Sequence, residues 1–330
     1  MQIQSVLSMA PLRVSFLGGG SDIQTFYSKH RGLVVSAAIS KYVYVHIKRH
    51  DPLFQERYRI SYSEVEHTNS RKDIKNSIVR GCLELLNIDE PIQISTSADL
   101  PANSGLGSSS SFAVALLNGL HALRNENSSP VQLAEEASEV EINILGSPIG
   151  KQDQYAAAFG GFNSFEFVEN GSVRIEPINL PRRKINNLLD NSIMIWTGQS
   201  RSTNTVLVDQ ATKLNDNFDR LIELTILAQE FKTLLVKSES KWSELGPLIK
   251  NGWELKQTFS KKIVTNEVKL ITDTLDTLGS TGYKLLGAGG GGFILATFEE
   301  LNPLIISKLK QWQTFVPSLD FHGSRIVSIY

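Results

Sequence analysis

The segment DLPANSGLGSSSSFAVA, residues 99–115, joins a loop of glycine and serine directly to an apolar run. Glycine lets main-chain N–H groups converge, and the start of a following helix adds unsatisfied N–H donors and the positive end of its dipole. Serine hydroxyls can bond a phosphate or reach a hard cation such as Mg²⁺, which prefers oxygen ligands. The segment therefore predicts an anion site without a basic side chain, although a serine-rich helix cap has the same composition. It is not a Walker A loop, because no lysine follows the last glycine in the GxxxxGK[ST] pattern.

The composition is that of an ordinary folded protein. Of 330 residues, 41% are hydrophobic and 20% are charged, and such a length suggests about two domains. The 33 basic and 34 acidic residues give a net charge of −1. This balance argues against a nucleic-acid partner, since phosphate contacts usually need a basic excess. The one cysteine, Cys82, excludes an internal disulfide and is expected as a small buried residue on a helix.

No stretch predicts a membrane segment or a secretion signal. The first residues, MQIQSVLSMAPLRVSF, lack a basic start followed by a long apolar run. No run approaches the roughly 20 apolar residues that span a bilayer. We therefore expect a cytoplasmic protein without a membrane partner.

Hydrophobic periodicity predicts an α+β chain with a strand-rich first half and a helix-rich second half. The strands predicted in the first half are 12–17, 33–39, 42–49, 57–68, 91–101, 162–168 and 172–178. The helices predicted there are 77–87, 111–125, 130–146 and 150–161. The second half begins with a strand, continues with long helical patterns, and ends with two strands around glycines, a helix and a last strand: 192–198, 203–278, 283–298, 300–313 and 324–330. We divide the chain into a domain of residues 1–185 and one of residues 186–330.

A second glycine cluster, residues 287–292, satisfies the pattern G-x-G-x-x-G. A dinucleotide site would require a helix after it and an acidic residue about 20 positions later. The residues FILATF follow instead and read as a strand, so a nucleotide-binding dehydrogenase is excluded. We expect a glycine-rich hairpin that lets the backbone approach a ligand closely.

A third cluster, EINILGSPIGKQDQ at 141–154, carries two carboxylates on either side of a Gly-x-Pro turn. One of them, Glu141 or Asp153, could hold a divalent cation while the other orients or deprotonates an attacking hydroxyl. Taken alone, both could equally be solvated helix charges, and Lys151 could be a surface charge.

Together the three clusters resemble one family. The segments APLRVSFLGGGSD (10–22), LPANSGLGSSSS (100–111) and KLLGAGGGGF (284–293) look like the three ordered motifs of the galactokinase, homoserine kinase, mevalonate kinase and phosphomevalonate kinase (GHMP) superfamily. The resemblance covers nearly the whole chain. It implies a two-domain α+β fold with a ribosomal protein S5-like N-terminal lobe and a ferredoxin-like, helix-rich C-terminal lobe. The active site would lie in the cleft between the lobes.

The resemblance also implies roles for individual residues, with ATP as co-substrate and Mg²⁺ as cofactor. Asp153 would be the catalytic base, and Arg13 would steady both Asp153 and the transferring phosphoryl group. Ser109 and Glu141 would contact Mg²⁺. The ATP phosphates would be bound by Gly105, Leu106, Gly107, Ser108, Ser109 and Ser110. The substrate would be bound by Gly19, Gly20, Ser21, Asp22, Lys151, Gly289, Gly290 and Gly291.

Within the superfamily, PLRVSFLGGGSD (11–22) and SPIGKQDQYAAAFGGFN (147–163) are similar to the heptose 7-phosphate kinases. Galactokinases carry an acidic–histidine pair where Gly19 and Gly20 stand in this chain, which disfavours galactose and mevalonate as substrates. The resemblance implies phosphorylation of the anomeric hydroxyl of D-glycero-D-manno-heptose 7-phosphate to the 1,7-bisphosphate. The substrate's own phosphate would need a second anion pocket, for which Lys151, Arg31 and Arg201 are candidates.

Two alternatives stay open. One is another sugar 1-kinase of the superfamily, acting on fucose, a hexosamine or a uronic acid. The other is a sugar-binding regulator that kept the fold and lost catalysis, against which the intact Arg13, Ser109, Glu141 and Asp153 argue. The sequence leaves the choice between a monomer and a homodimer open.

Overall fold

Two β-sheets flanked by helices organise the chain. The computed structural model describes residues 2–51, 53–198, 217–237, 241–260 and 262–330. The strands are β1 (Ser5–Leu17), β2 (Gly32–Arg49), β3 (Tyr58–Ser61), β4 (Val65–Thr68), β5 (Ile92–Ala98), β6 (Phe162–Phe167), β7 (Val173–Pro177), β8 (Ser192–Trp196), β9 (Gly282–Leu285), β10 (Phe293–Thr297), β11 (Thr314–Phe315) and β12 (Arg325–Ile329). The helices are α1 (Gln24–Tyr27), α2 (Ser77–Leu85), α3 (Ser108–Leu123), α4 (Pro130–Ser138), α5 (Gln152–Phe159), α6 (Arg182–Asp190), α7 (Phe218–Val236), α8 (Trp242–Gln257), α9 (Asn266–Thr277) and α10 (Pro303–Lys308). The predicted α+β class is confirmed.

Each sheet is built mainly from one half of the chain. The first sheet is eight-stranded in the described residues, in the order β12-β1-β2-β5-β3-β4, with β6 pairing β2 and β7 pairing β6. The second has the order β11-β8-β10-β9. The last strand of the chain, β12, pairs with β1 and so completes the sheet of the first half. A division of the chain by sheets therefore assigns residues 325–329 to the N-terminal domain. The boundary predicted from the sequence had placed them in the second domain.

The two predicted strands 33–39 and 42–49 are one strand, β2. It pairs with β1 from Ser5 opposite Lys48 to Leu17 opposite Val35. The register shifts where Pro11 faces Tyr42 and Leu12 faces Ile39, so residues 40 and 41 form a bulge. Because proline has no N–H for the ladder, a bulge beside it lets both halves of β2 stay paired. The sequence shows the two halves but not their continuity.

Several other predicted elements also have different bounds. The predicted strand 57–68 is the hairpin of β3 and β4. The predicted helix 130–146 is α4 followed by the π-helical turn Glu139–Ile144. The predicted helix 300–313 is the shorter α10. The long helical pattern of the second half is α7, α8 and α9 where it is described, and no described helix has the length and apolar character to cross a membrane.

Phe16 of β1 lies where the two halves of the molecule meet. Its ring stacks on Phe162 of β6 at a centroid distance of 5.1 Å and on Phe231 of α7 at 5.6 Å. The ring of Trp242, the first residue of α8, lies 6.3 Å away. All four residues are buried. Since aromatic pairs add to the free energy of burial, this cluster fixes α7 and α8 against the strand that carries the first glycine motif.

We predict that Gly160→Ala destabilises the fold more than Gly171→Ala does. Both glycines have positive φ, +66° and +84°, so alanine is strained at either position. A Cβ on Gly160, which ends α5, would lie 2.1 Å from the main-chain nitrogen of Gly323, whereas one on Gly171 would meet nothing within 4 Å. Overpacking should add about 1–3 kcal/mol to the loss of unfolding free energy at Gly160. Urea denaturation of both variants measures the difference, and equal losses would contradict close packing of Gly160 on Gly323.

Candidate active site

A cavity of about 320 Å³ opens between the glycine loop after β1, the start of α3, the start of α5 and the helices α7 and α8. All three sequence motifs contribute to its wall. The cavity therefore lies where elements of the first sheet meet elements that pack on the second.

The middle motif places the N-terminus of α3 in this cavity. The helix begins at Ser108, three residues before the predicted start, so the three serines 108–110 form its first turn. Gly107 is the N-cap with φ +76°, and a Cβ there would lie 3.1 Å from the Asp153 carboxylate. Gly105 has φ +81°, and its Cβ would lie 2.5 Å from the carbonyl oxygen of Leu286. Glycine is required at both positions, and the free N–H groups of the helix face the cavity.

Five of the six predicted phosphate-loop residues line the cavity, and Leu106 does not. Its side chain is fully buried in the core. Its carbonyl oxygen accepts a hydrogen bond from the main-chain N–H of Arg13 at 3.0 Å. Leu106 thus anchors the loop to β1, while the glycines and serines of 105–110 face the cavity.

Arg13 and Asp153 form a two-pronged ion pair beside the helix N-terminus. Arg13 Nε lies 2.6 Å from Asp153 Oδ1, and Arg13 Nη2 lies 2.7 Å from Oδ2. The third prong, Nη1, donates to the carbonyl oxygen of Gly105 at 2.7 Å. The Arg13 side chain is 6% exposed, while that of Asp153 is 23% exposed and opens into the cavity. The guanidinium fork therefore fixes the position of the carboxylate relative to the phosphate loop.

Ser109 and Glu141 lie together, as the resemblance implied. Ser109 Oγ donates to Glu141 Oε1 at 2.5 Å, and Gln154 Nε2 donates to Oε2 at 2.7 Å. The π-helical turn carries Glu141 into the interior, where burial raises the pKa of its carboxyl although hydrogen bonds from Ser109, Ser110 and Gln154 oppose the shift. A hydroxyl and a carboxylate beside a phosphate-binding loop suit Mg²⁺, which takes few protein ligands and completes its shell with phosphates and water. The described residues contain no group of three or more His, Cys, Asp or Glu side chains that could hold a metal alone.

The first motif forms a loop held by Asp22. Its buried carboxylate accepts hydrogen bonds from the N–H of Gly20 at 2.9 Å and from the main-chain N–H and side-chain amide of Gln152, both at 3.1 Å. Burial raises the pKa of this carboxyl despite those bonds. Gly19, Gly20 and Asp22 line the cavity, as predicted. Ser21 does not, because it is fully buried and its hydroxyl donates to the carbonyl oxygen of Gly18 at 2.7 Å.

Two polar residues in this wall were missed by the sequence analysis. Ser15 and Gln152 line the cavity on either side of Gly19, where a Cβ would lie 3.6 Å from Ser15 Oγ and 3.8 Å from Gln152 Oε1. Both of these oxygens are buried and lack a hydrogen-bond partner in the described part of the chain. Because a buried polar atom without a partner is costly, these two oxygens are available to hydrogen-bond a ligand in the cavity. The position of Gln152 beside Asp153 and that of Ser15 inside the first motif were both usable signals.

The structure does not bring the predicted anion-pocket cations to the cavity. Lys151 Nζ lies 3.0 Å from a carboxylate oxygen of Glu135. Arg31 pairs with Glu166 at 2.7 Å and its side chain is 61% exposed. Arg201 lies outside the described residues.

The third motif approaches the cavity through other residues than those predicted. Gly287 and Ala288 line it, while Gly289, Gly290 and Gly291 do not. Gly290 instead donates its N–H to the carbonyl oxygen of Ile263 at 3.0 Å, outside the cavity wall. A Cβ on Gly287 would lie 2.5 Å from the Cα of Gly105, so the third motif packs directly on the phosphate loop.

Two lysines of the cavity wall were also missed. Lys256, near the end of α8, donates from its ammonium to the carbonyl oxygen of Gly287. Burial, with repulsion from Arg13, lowers the pKa of Lys256 to about 8, and Asp153 opposes the shift. Lys284 of β9 donates to the carbonyl oxygen of Phe16 at 2.8 Å, and burial together with Lys256 and Arg13 lowers its pKa well below the usual value. Lys284 opens the third motif and could have been suspected, whereas Lys256 is one of two lysines in α8 and belongs to no motif.

Comparison with known proteins agrees with this geometry. Residues 76–161 match the model of the GHMP kinases N terminal domain. D-glycero-alpha-D-manno-heptose 7-phosphate kinase of Campylobacter jejuni is 28% identical over 332 residues, which cover 97% of each chain. Galactokinase of Pyrococcus furiosus is 24% identical over 326 residues, 88% of each chain. The crystal structure of a D-glycero-D-manno-heptose 1-phosphate kinase from B. thetaiotaomicron matches with a TM-score of 0.78 at 25% identity, over 98% of this chain and 99% of that one.

The matches extend over almost the full length of the chain, and the named relatives are kinases. Residues 76–161 thus form a GHMP kinase N-terminal domain, and the likeness to named kinases over nearly the whole length makes the protein an ATP-dependent phosphotransferase.

Proposed function

We propose that this kinase transfers the γ-phosphoryl group of ATP to the anomeric hydroxyl of D-glycero-D-manno-heptose 7-phosphate and forms the 1,7-bisphosphate. The observation that carries phosphoryl transfer is the Asp153 carboxylate, which Arg13 fixes beside the N-terminus of α3 inside the cavity. The heptose acceptor is supported by the likeness to the C. jejuni heptose 7-phosphate kinase along the whole chain.

The phosphates of ATP would lie on the loop 105–110 and the first turn of α3. The N–H groups there and the helix dipole offset phosphate charge at fixed positions. Ser109 and Glu141 would hold Mg²⁺, which, when bound, neutralises charge on the phosphates. Positioning and charge neutralisation supply most of the catalysis in reactions of this class.

Asp153 would accept the proton of the anomeric hydroxyl. The sugar oxygen forms a bond to the γ-phosphorus, the bond from that phosphorus to the β,γ-bridging oxygen breaks, and ADP leaves with the electron pair. Arg13 orients the carboxylate through both of its oxygens, so Asp153 presents one defined face to the hydroxyl. The proton thus moves to the carboxylate while the phosphoryl group moves to the sugar.

The part of the cavity wall around Gly19 and Gly20 would bind the sugar hydroxyls. Gly19 and Gly20 leave room there, and Asp22 is held by three hydrogen bonds that fix its orientation. Ser15 Oγ and Gln152 Oε1 add two unpartnered polar atoms that can exchange hydrogen bonds with a polyol. A site with this many hydrogen-bonding groups discriminates strongly against an acceptor that lacks the matching hydroxyls.

An unphosphorylated sugar is the second candidate acceptor. Both described cations that were expected to bind the substrate's own phosphate, Lys151 and Arg31, are paired with Glu135 and Glu166 instead. A fucose, hexosamine or uronic acid would not need that second anion pocket.

We expect D-glycero-D-manno-heptose 7-phosphate to be phosphorylated with the highest kcat/KM in a panel of sugars and sugar phosphates supplied with Mg-ATP. Release of ADP measures turnover, and ³¹P NMR of the product identifies the new ester as one on the anomeric carbon. Preferred turnover of an unphosphorylated sugar would be consistent with kinase activity but would reject heptose 7-phosphate as the acceptor. An ester on any other carbon would reject the anomeric assignment.

We expect Asp153→Asn to lower kcat by about 10²–10⁴-fold, because the amide cannot accept the proton. Its affinity for ADP should change little, since the phosphate loop keeps its own donors. Asp190→Asn, at the exposed end of α6, is the matched control and should retain wild-type turnover. If Asp153→Asn turned over about as fast as the control, Asp153 would not be the base that accepts the proton.

A further inference from the structure

The ammonium group of Lys256 has no carboxylate partner of its own among the described residues. Its protein acceptor is the carbonyl oxygen of Gly287, a neutral group. The neighbouring carboxylate of Asp153 is already held at both oxygens by Arg13. An ammonium taken out of water and left without an opposite charge is unfavourable, so this placement costs folding free energy.

The other carboxylates of the cavity are likewise engaged. Glu141 accepts from Ser109 and Gln154, and Asp22 accepts from Gly20 and Gln152. None of these carboxylates forms an ion pair with a lysine in the described part of the chain. The cation at Lys256 is therefore available to an anionic ligand that enters the cavity.

The contacts of Lys256 place it beside the reacting groups rather than at the far end of the sugar. Gly287, which accepts from it, packs on Gly105 of the phosphate loop. The carbonyl of Gly105 in turn accepts from Arg13. Lys256, Arg13 and Asp153 all line the cavity, so the three groups share one space.

We propose that Lys256 is a further catalytic residue, whose ammonium contacts the oxygens of the γ-phosphoryl group while it passes from ATP to the acceptor. The inference rests on the proposed phosphoryl transfer but not on the identity of the sugar. Lys256 keeps its proton throughout and stabilises charge on the transferring group together with Arg13. Lys256 comes from α8, which packs on β9 of the second sheet, whereas Arg13 comes from β1 of the first.

Two variants on the same helix test the proposal. Lys256→Met removes the ammonium and keeps an unbranched side chain. Lys250→Met is the matched control, since Lys250 also lies on α8 but pairs with Asp276 at 2.6 Å outside the cavity. Calorimetry with magnesium present would measure the affinities for ADP and for ADP with aluminium fluoride, a mimic of the transferring phosphoryl group.

We expect wild type and Lys250→Met to bind ADP with aluminium fluoride much more tightly than ADP. Lys256→Met should bind ADP normally but lose about 10²–10³-fold in affinity for the mimic, the usual cost of removing one donor to transition-state charge. Its kcat should fall by a similar factor, while the KM for the sugar stays unchanged. Since removal of a buried charge without a carboxylate partner relieves an unfavourable interaction, the unfolding temperature of Lys256→Met should be at least that of wild type.

The pH dependence of kcat/KM for ATP supplies an independent readout. The groups that face Lys256 are Arg13 of β1, Asp153 of α5 and Lys284 of β9. With a lowered pKa of about 8, Lys256 is charged below that pH and loses its proton as the pH rises through it. Since kcat/KM reports the ionisation of the free enzyme, wild-type kcat/KM for ATP should fall on the alkaline side near pH 8, and Lys256→Arg, which stays charged, should lack that fall. An unchanged alkaline limb in Lys256→Arg would count against the proposal even if Lys256→Met did not fold.

Three results for Lys256→Met would overturn the proposed catalytic role of Lys256. The variant could keep its affinity for the aluminium fluoride complex, lose as much affinity for ADP alone, or show a raised KM for the sugar with a normal kcat. The last would indicate that Lys256 binds the substrate's own phosphate. The calorimetry requires no sugar, so a wrong acceptor assignment leaves it interpretable. A wild type that binds the mimic tightly but phosphorylates no sugar would count against the proposed function alone.

Discussion

The guanidinium group of Arg13 is the contact on which the arrangement of the site depends. Its three nitrogens bind both oxygens of Asp153 and the carbonyl of Gly105, and its own main-chain N–H binds the carbonyl of Leu106. One residue of β1 thereby joins the start of α5 to the phosphate loop ahead of α3. Arginine suits this role because its planar fork matches a carboxylate and leaves a donor for a third partner, which a lysine cannot do. Without Arg13, no contact among β1, α5 and the phosphate loop would fix the spacing between the Asp153 carboxylate and the phosphates.

Burial shifts the ionisable groups around that contact toward their neutral forms. The pKa values of Asp22 and Glu141 are raised, and those of Lys256 and Lys284 are lowered. Each shift means that the folded protein holds a charged group in a place where solvent does not stabilise it. The aromatic cluster of Phe16 and the long β1–β2 pairing hold the walls in place against this cost. Ligands that bring phosphate, a divalent cation and hydroxyl groups would replace the solvent that these charged groups lack.

The sequence predicts those parts of the site that depend on local backbone chemistry. Gly107 must be glycine because of its positive φ and its approach to Asp153, and such requirements leave a motif that a reader can find. Lys256 leaves no motif, because only the packing of α8 brings it to the cavity. Lys151 shows the opposite failure. It lies two positions from Asp153, but residues two apart at the start of a helix point in directions about 200° apart, and the mostly buried Lys151 side chain turns away from the cavity to Glu135. The bulge in β2 was missed for a related reason, since pairing with β1 and not local sequence keeps that strand continuous.

The most direct test of the role of Arg13 is the kcat of Arg13→Lys, measured with the best acceptor and beside the affinity for ADP. The substitution keeps a positive charge and removes the fork. If the fork sets the spacing between Asp153 and the phosphate loop, kcat should fall at least about 100-fold, the effect of misplacing a catalytic group by about 1 Å. The affinity for ADP should stay within a few-fold of wild type. A kcat close to wild type would show that charge alone suffices at this position, and it would contradict the dependence of the site on the geometry of the Arg13 guanidinium.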